Sequence, residues 1–195
     1  MSEAGAPPKF KEAHINWIFW NIANNQPMGR KMLVEKTNLG EGSLRTILQR
    51  LEKYGLVRSA RPGRTLSEDG NKVFQKMRQL MRIEKATYMD MTGKPSNCVV
   101  LVKGCGEKVQ SGMEQRDAAI QIGRNGATTI VVKKGKFIMP GFEKGVDIDK
   151  QYPQDASKIR RLLDPEEGDA LIIGSEETPQ AAEEAAWVAA STLFE

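Results

Sequence analysis

The chain has 195 residues, 39% of them hydrophobic and 28% charged, which leaves room for one large or two small soluble domains. Its longest apolar stretch, INWIFWNIA, is too short to cross a bilayer, the N-terminus lacks the basic, apolar and small-residue order of a signal peptide, and two cysteines make no disulfide framework; a cytoplasmic protein with no membrane partner is expected. The net charge of +4 conceals a split, since residues 1–85 carry 16 Lys and Arg against 8 Asp and Glu and the remainder 13 against 17. This predicts a basic half suited to a polyanion and an acidic half that phosphate repels.

Residues 1–10, MSEAGAPPKF, read as a disordered leader. A first domain is expected over 11–90. From Lys11, the residues Ile15, Ile18, Phe19 and Ile22 recur at helical spacing, widened by Trp17 and Trp20. The single histidine, His14, reads as a helix-surface or capping residue. GRKMLVEKTNL predicts a second helix with Met32, Leu33 and Leu39 inward, and Gly40 to Gly42 make a turn. In the third helix Leu44, Ile47, Leu48 and Leu51 form the buried stripe, while Arg45, Thr46, Gln49, Arg50 and Lys53 cover the other face. Gly55 ends that helix, and SARPG over 59–63 turns a strand beginning at Leu56 and Val57 back through Arg64 to Leu66. Ser67 then caps a long helix expected from Glu68 to Tyr88, whose apolar side carries Val73, Phe74, Met77, Leu80, Met81 and Tyr88 and suggests pairing with a second copy.

LEKYGLV, the basic hairpin and TLSEDGNKVF resemble winged helix-turn-helix transcription regulators. The resemblance implies that the third helix enters the major groove of double-stranded DNA while the wing meets the backbone. On it, Ser43, Arg45, Thr46, Gln49 and Arg50 of the helix and Arg58, Arg61 and Arg64 of the wing are the expected DNA contacts.

Beyond MTGKPS the pattern changes, and a second domain is expected over 91–195. CVVLV and DALIIGS read as buried strands, ATTIVVKKGKFIM as a hairpin around Lys134 and Gly135, and Glu114 to Arg124, Ala156 to Leu163 and Thr178 to Phe194 as helices. The last has Thr178 as its cap and Pro179 in its first turn. Cys98 and Cys105 are too few for a zinc site, no histidine follows residue 14 to activate a nucleophile, and Gly104-Cys105-Gly106 lacks both the third glycine of a dinucleotide loop and a GK[ST]. No metal, cofactor or catalytic residue is therefore assigned. The glycine-rich strand end and the polar helix start supply a candidate site for a small anionic metabolite, made of Lys103, Gly104, Gly106, Glu114, Gln115, Arg116 and Asp117.

GMEQRDAAIQIGRNGATTIVV and EGDALIIGS give the whole chain a resemblance to uncharacterised archaeal proteins with an N-terminal winged helix and a C-terminal α/β domain of unknown function. The expected fold is α+β: a winged helix-turn-helix domain, a long linker helix and a small C-terminal α/β domain. The expected function is a homodimeric DNA-binding transcription regulator, not an enzyme, whose second domain senses a ligand or mediates assembly. Two alternatives are an enzyme fused to a winged helix, as in biotin ligase repressors, and a winged-helix adaptor that binds protein instead of DNA. The small second domain, without that family's biotin loop, weighs against the first.

Overall fold

The computed structural model describes residues 10–141 and 145–194, so the expected leader lies outside the described residues except for Phe10. The chain divides into two units between Met77 and Arg78, earlier than the boundary expected at 91.

In the first unit, α1 (Glu12–Asn25), α2 (Arg30–Thr37) and α3 (Glu41–Lys53) precede a two-stranded antiparallel hairpin of β1 (Val57–Ser59) and β2 (Arg64–Leu66). One core joins Ile15, Ile18, Phe19 and Ile22 of α1, Leu33 of α2 and the stripe Leu44, Ile47, Leu48 and Leu51 of α3. Val57 and Leu66, which face each other across the hairpin, close it from the strand side. A backbone bridge between Met28 and Arg64, with bonds of 2.9 Å in both directions, adds a one-residue third strand from the α1–α2 connection. His14 is buried, and its Nδ1 accepts the Lys11 amide N–H at 2.9 Å, so it caps α1 from inside the fold instead of standing on the surface. Met32, expected inward, is half exposed, because on an eight-residue helix only Leu33 and Thr37 reach the interior.

Ser67 begins α4 (Glu68–Leu80) as expected, its hydroxyl accepting the Gly70 N–H at 2.9 Å. Gly70 is obligatory: a Cβ there would lie 1.9 Å from the Leu56 carbonyl oxygen. The helix expected to run to Tyr88 ends at Leu80. Its last two turns are replaced by β3 (Met81–Ala86), an edge strand of the second unit. The single apolar side from Val73 to Tyr88 therefore does not exist. Met81 is buried in the sheet, Met77 packs on the first core, and Tyr88 is exposed beyond the strand.

The second unit is a six-stranded sheet in the order β3-β4-β8-β5-β6-β7, and every pairing is antiparallel. Its strands are β4 (Ser96–Val102), β5 (Ala127–Lys133), β6 (Lys136–Met139), β7 (Val146–Asp147) and β8 (Ala170–Glu176). The continuous apolar runs in β4 and β8 are explained by position, since both strands are central and covered on both faces. Val99, Leu101, Leu171 and Ile173 point to the side of α6 (Ile148–Gln151) and α7 (Pro153–Leu163). Residues of opposite parity point to α8 (Pro179–Ser191), beside which lies α5 (Met113–Ile120). Alanines 182, 185, 186 and 189 let α8 approach so closely that a Cβ on Gly174 would sit 2.2 Å from the Ala182 carbonyl oxygen and 2.5 Å from the Ala186 nitrogen. Lys134 and Gly135, both at positive φ, make the β5–β6 turn, and the Thr178 side chain accepts the Ala181 N–H at 3.3 Å to cap α8.

Candidate functional site

In the first unit the buried stripe of α3 fixes what its other face presents. Arg45, Gln49 and Lys53 are exposed and form no hydrogen bond or ion pair among the described residues. Thr46 is half-buried beside them, its hydroxyl donating to the Gly42 carbonyl at 3.1 Å. Ser43 is half-buried at the helix start. Arg50 lies on the flank towards α1, 3.9 Å from the Glu12 carboxylate and with its guanidinium 5.4 Å from the centre of the Phe10 ring, so it is held off the outer face.

The hairpin separates its three arginines in the same way. Arg58 and Arg61 are exposed, and Arg58 donates to the Thr65 hydroxyl across the strands at 3.4 Å. Arg64 is different: its Nε donates to Glu52 at the end of α3 at 3.2 Å, and only 19% of its side chain is exposed. Such a partly buried pair ties β2 to α3 and leaves Arg64 less available to a partner than Arg58 and Arg61.

Several groups of the ligand site expected in the second unit are engaged within the fold. Strands β4 and β8 run in opposite directions, pairing Ser96 with Glu176 and Val102 with Ala170. Their carboxyl ends therefore lie at opposite ends of the sheet. Lys103, Gly104 and Gly106 sit at one end, where the Gly104 N–H donates to Asp169 at 2.9 Å and the Gly106 N–H to the Gly168 carbonyl at 2.7 Å; these amides hold the turn together and are not open to an anion. The start of α5 lies beside the C-terminal end of α8, where Lys108 also donates to the Leu193 carbonyl at 2.7 Å. There Gln115 is buried and bonded to the Thr192 hydroxyl at 2.7 Å, Glu114 is exposed, and Arg116 pairs with its neighbour Asp117 at 2.9 Å.

A pocket of about 280 Å³ lies at the end of the sheet where Ser96 pairs with Glu176, on the α7 side. Its floor is Ile173, Ser175 and Thr128, and its walls are the segment Met91 to Lys94 and the group Arg116, Asn125 and Gly126. The wall segment is positioned by Asn97, which is buried. Its Oδ1 accepts from the Ser175 hydroxyl at 2.8 Å and from Thr92 at 2.9 Å, and its Nδ2 donates to the carbonyls of Thr87 and Lys94. A wider recess of about 550 Å³ lies against α7, lined by Tyr88, Asp90, Asp155 and Lys158 among others. Of these pocket residues, the sequence reading had assigned only Arg116. Ser175 stands near the end of β8, and strand direction, which brings it to Lys94 and Arg116, leaves no mark in local sequence.

Cys98 is buried against α8, and burial, together with the nearby Glu183 carboxylate, pushes its thiol well above the ordinary range, consistent with packing. Among the described residues no helix is long and apolar enough to cross a membrane.

Residues 18–72 match the family model described as PH0730-like, N-terminal domain, and residues 93–193 match that described as Domain of unknown function (DUF4443). No curated protein matches the chain. Among solved structures, "Hypothetical protein PH0730 from Pyrococcus horikoshii OT3" is similar, with 29% identity and a TM-score of 0.75 over 94% of this chain and 92% of that one. This agrees with the resemblance to uncharacterised archaeal proteins read from the sequence. Since the second match takes in more than half of its residues, the chain belongs to the DUF4443 family.

Proposed function

We propose that this protein is a DNA-binding transcription regulator, with a winged helix-turn-helix as its first unit and a second unit that senses a ligand or mediates assembly. The observation that carries the reading is the outer face of α3. Arg45, Gln49 and Lys53 stand exposed and unpaired among the described residues, opposite the buried Leu44, Ile47, Leu48 and Leu51. Arginine and glutamine read guanine and adenine edges by paired hydrogen bonds, which requires side chains not already engaged within the fold. Exposed Arg58 and Arg61 on the hairpin add cations suited to phosphate, and the Met28 bridge braces the hairpin against the helices. Selection from random double-stranded DNA should return a defined motif, and Arg45→Ala or Gln49→Ala should relax it at particular base pairs by about 1 to 3 kcal/mol. An identical motif from wild type and both variants removes the assignment. Binding to a protein partner with no DNA affinity at low salt favours the adaptor reading instead.

Assembly as a homodimer is part of the proposal, on a new ground. One edge of the sheet is β3, where Arg82, Ile83 and Glu84 follow one another. A second copy laid antiparallel with Ile83 opposite Ile83 sets each Arg82 against the other copy's Glu84, so the edge is self-complementary in charge. Sedimentation should show a dimer for wild type, monomer for Arg82→Glu and recovery of the dimer for Arg82→Glu with Glu84→Arg. A wild-type monomer at working concentration, or a single variant that still dimerises, rules this edge out.

A further inference from the structure

We infer that the pocket bounded by Lys94 and Arg116 binds a small aliphatic dicarboxylate. This names a site and a ligand class for the sensing half of the proposed function, and it stands apart from DNA binding.

Three observations build the site. First, two cations approach from strands on either side of β8: Lys94 from the segment leading into β4, and Arg116 across the segment leading into β5. Second, the path of Arg116 depends on Gly126, which is buried at a φ of +116°. A Cβ there would stand 3.0 Å from the arginine Cγ, so the stem crosses the backbone where a side chain would block it. Third, the floor between the cations is mixed. Ile173 is fully buried beneath it, Ala127 and Met91 add apolar surface, and the Thr128 hydroxyl makes no hydrogen bond among the described residues.

Chemistry selects the ligand. Two separated cations over an apolar floor fit two acidic ends joined by a short carbon chain, and a guanidinium offers a carboxylate two parallel N–H bonds. The Ser175 proton is committed to Asn97, so toward the pocket this hydroxyl only accepts; together with Thr128 it can take up a ligand hydroxyl or amine. The volume, about 280 Å³, is at the lower limit of ligand pockets and suits a metabolite of few heavy atoms. Each cation now has an acidic partner, Lys94 with Glu177 at 2.6 Å and Arg116 with Asp117 at 2.9 Å. Both pairs are at least partly exposed, and such pairs contribute little, so a carboxylate that is better enclosed can replace them.

The test uses the full chain, with succinate as probe and propanoate and inorganic phosphate as comparisons. Succinate should raise the melting temperature saturably, and amide resonances of 91–94, 125–128 and 173–175 should shift along the same binding curve. Arg116→Ala and Lys94→Ala should each weaken succinate binding at least tenfold while melting like wild type without ligand, and Gly126→Ala should weaken it by displacing the Arg116 stem. Equal effects of phosphate and succinate, binding unchanged in both cation variants, or no saturable shift with succinate at millimolar concentration each overturn the proposal. DNA affinity is measured separately. Succinate binding that leaves it unchanged keeps the pocket and removes the sensing role, whereas loss of DNA binding by Arg45→Ala with succinate binding intact separates the two readings.

Discussion

On the outer face of α3 the cations and amides are exposed and unengaged, whereas in the second unit several cations are paired with carboxylates of other elements. Arg124 is paired with Glu184, Lys85 with Glu183 at 2.6 Å, and Arg160 holds Asp149 while its guanidinium lies 3.9 Å above the Phe137 ring. The first unit repeats the contrast within itself, through Arg64 bonded to Glu52 and Arg61 exposed. Formal charge thus counts residues and not the charge available to a partner. What separates the two classes is whether a carboxylate from another element lies within reach. That is settled by packing, because a paired, partly buried arginine is fixed in direction while an exposed one is mobile and hydrated.

The contrast is broken most severely at Gly174. A β-carbon at 2.2 Å from the Ala182 oxygen forces α8 away from β8, so Gly174→Ala should cost about 1 to 3 kcal/mol, the usual range for overpacking, and Gly174→Val more. Calorimetry should show the melting transition of the second unit lowered and that of the first unchanged; equal loss in both would mean that the units are not independent.

A smaller effect sharpens the division among the arginines. Arg64→Ala removes the tie to Glu52 and leaves a half-buried carboxylate without its cation, so it should lower the stability of the first unit by about 1 kcal/mol. Arg61→Ala should leave stability unchanged and reduce the slope of log affinity for DNA against log salt by roughly 0.9, the value for one phosphate contact. If Arg64→Ala changes the slope and spares the melting temperature, the assignments of the two residues are reversed.

The least effect is expected at Asp149, and only in acid. The Arg160 guanidinium, helped by the Phe137 N–H at 2.8 Å, holds its carboxyl below the ordinary range. A depressed carboxyl binds its proton less readily in the folded chain than in the unfolded one. Its contribution is complete above the unfolded value, about 3.9, and is lost as pH falls through the lower folded value. Urea unfolding of Asp149→Asn should show a flatter dependence on pH below about 4 than wild type. Parallel curves would place the acid sensitivity of this unit elsewhere.

Much of the fold was legible because its signals are local. The stripe from Leu44 to Leu51, the left-handed Gly55, the Ser67 and Thr178 caps and the Lys134-Gly135 turn each depend on a few adjacent residues. The helix over Met113–Ile120 was also legible, although its expected end at Arg124 was too late. β3 was not legible. Met81, Arg82, Glu84 and Lys85 are all compatible with continued helix, and pairing with β4, which is distant in sequence, overrides that preference. As an edge strand, β3 also keeps Arg82, Glu84 and Lys85 in solvent, so it lacks the apolar run that revealed β4 and β8. The outer face of α3 was readable from helical period alone, but the diversion of Arg50 to Phe10 and of Arg64 to Glu52 was not, since those partners come from other elements. The pocket was least legible of all, because it depends on β4 and β8 running in opposite directions.

That antiparallel pair has a consequence for the order in which the protein acquires structure. At the centre of the sheet Val99 lies opposite Ile173, so the strand that fills the middle leaves the ribosome after both of its neighbours, β4 and β5. Until β8 emerges, β4 and β5 lack the neighbour that joins them, and their apolar residues remain uncovered on nascent chain. The first unit closes over much shorter spans, Val57 with Leu66 and Met28 with Arg64, and its sequence is complete long before. Loop closure and contact order both favour early folding of the basic unit and late, slower folding of the sheet. Pausing synthesis shortly before Ala170 should therefore yield a chain whose first unit resists protease while the second is cut throughout.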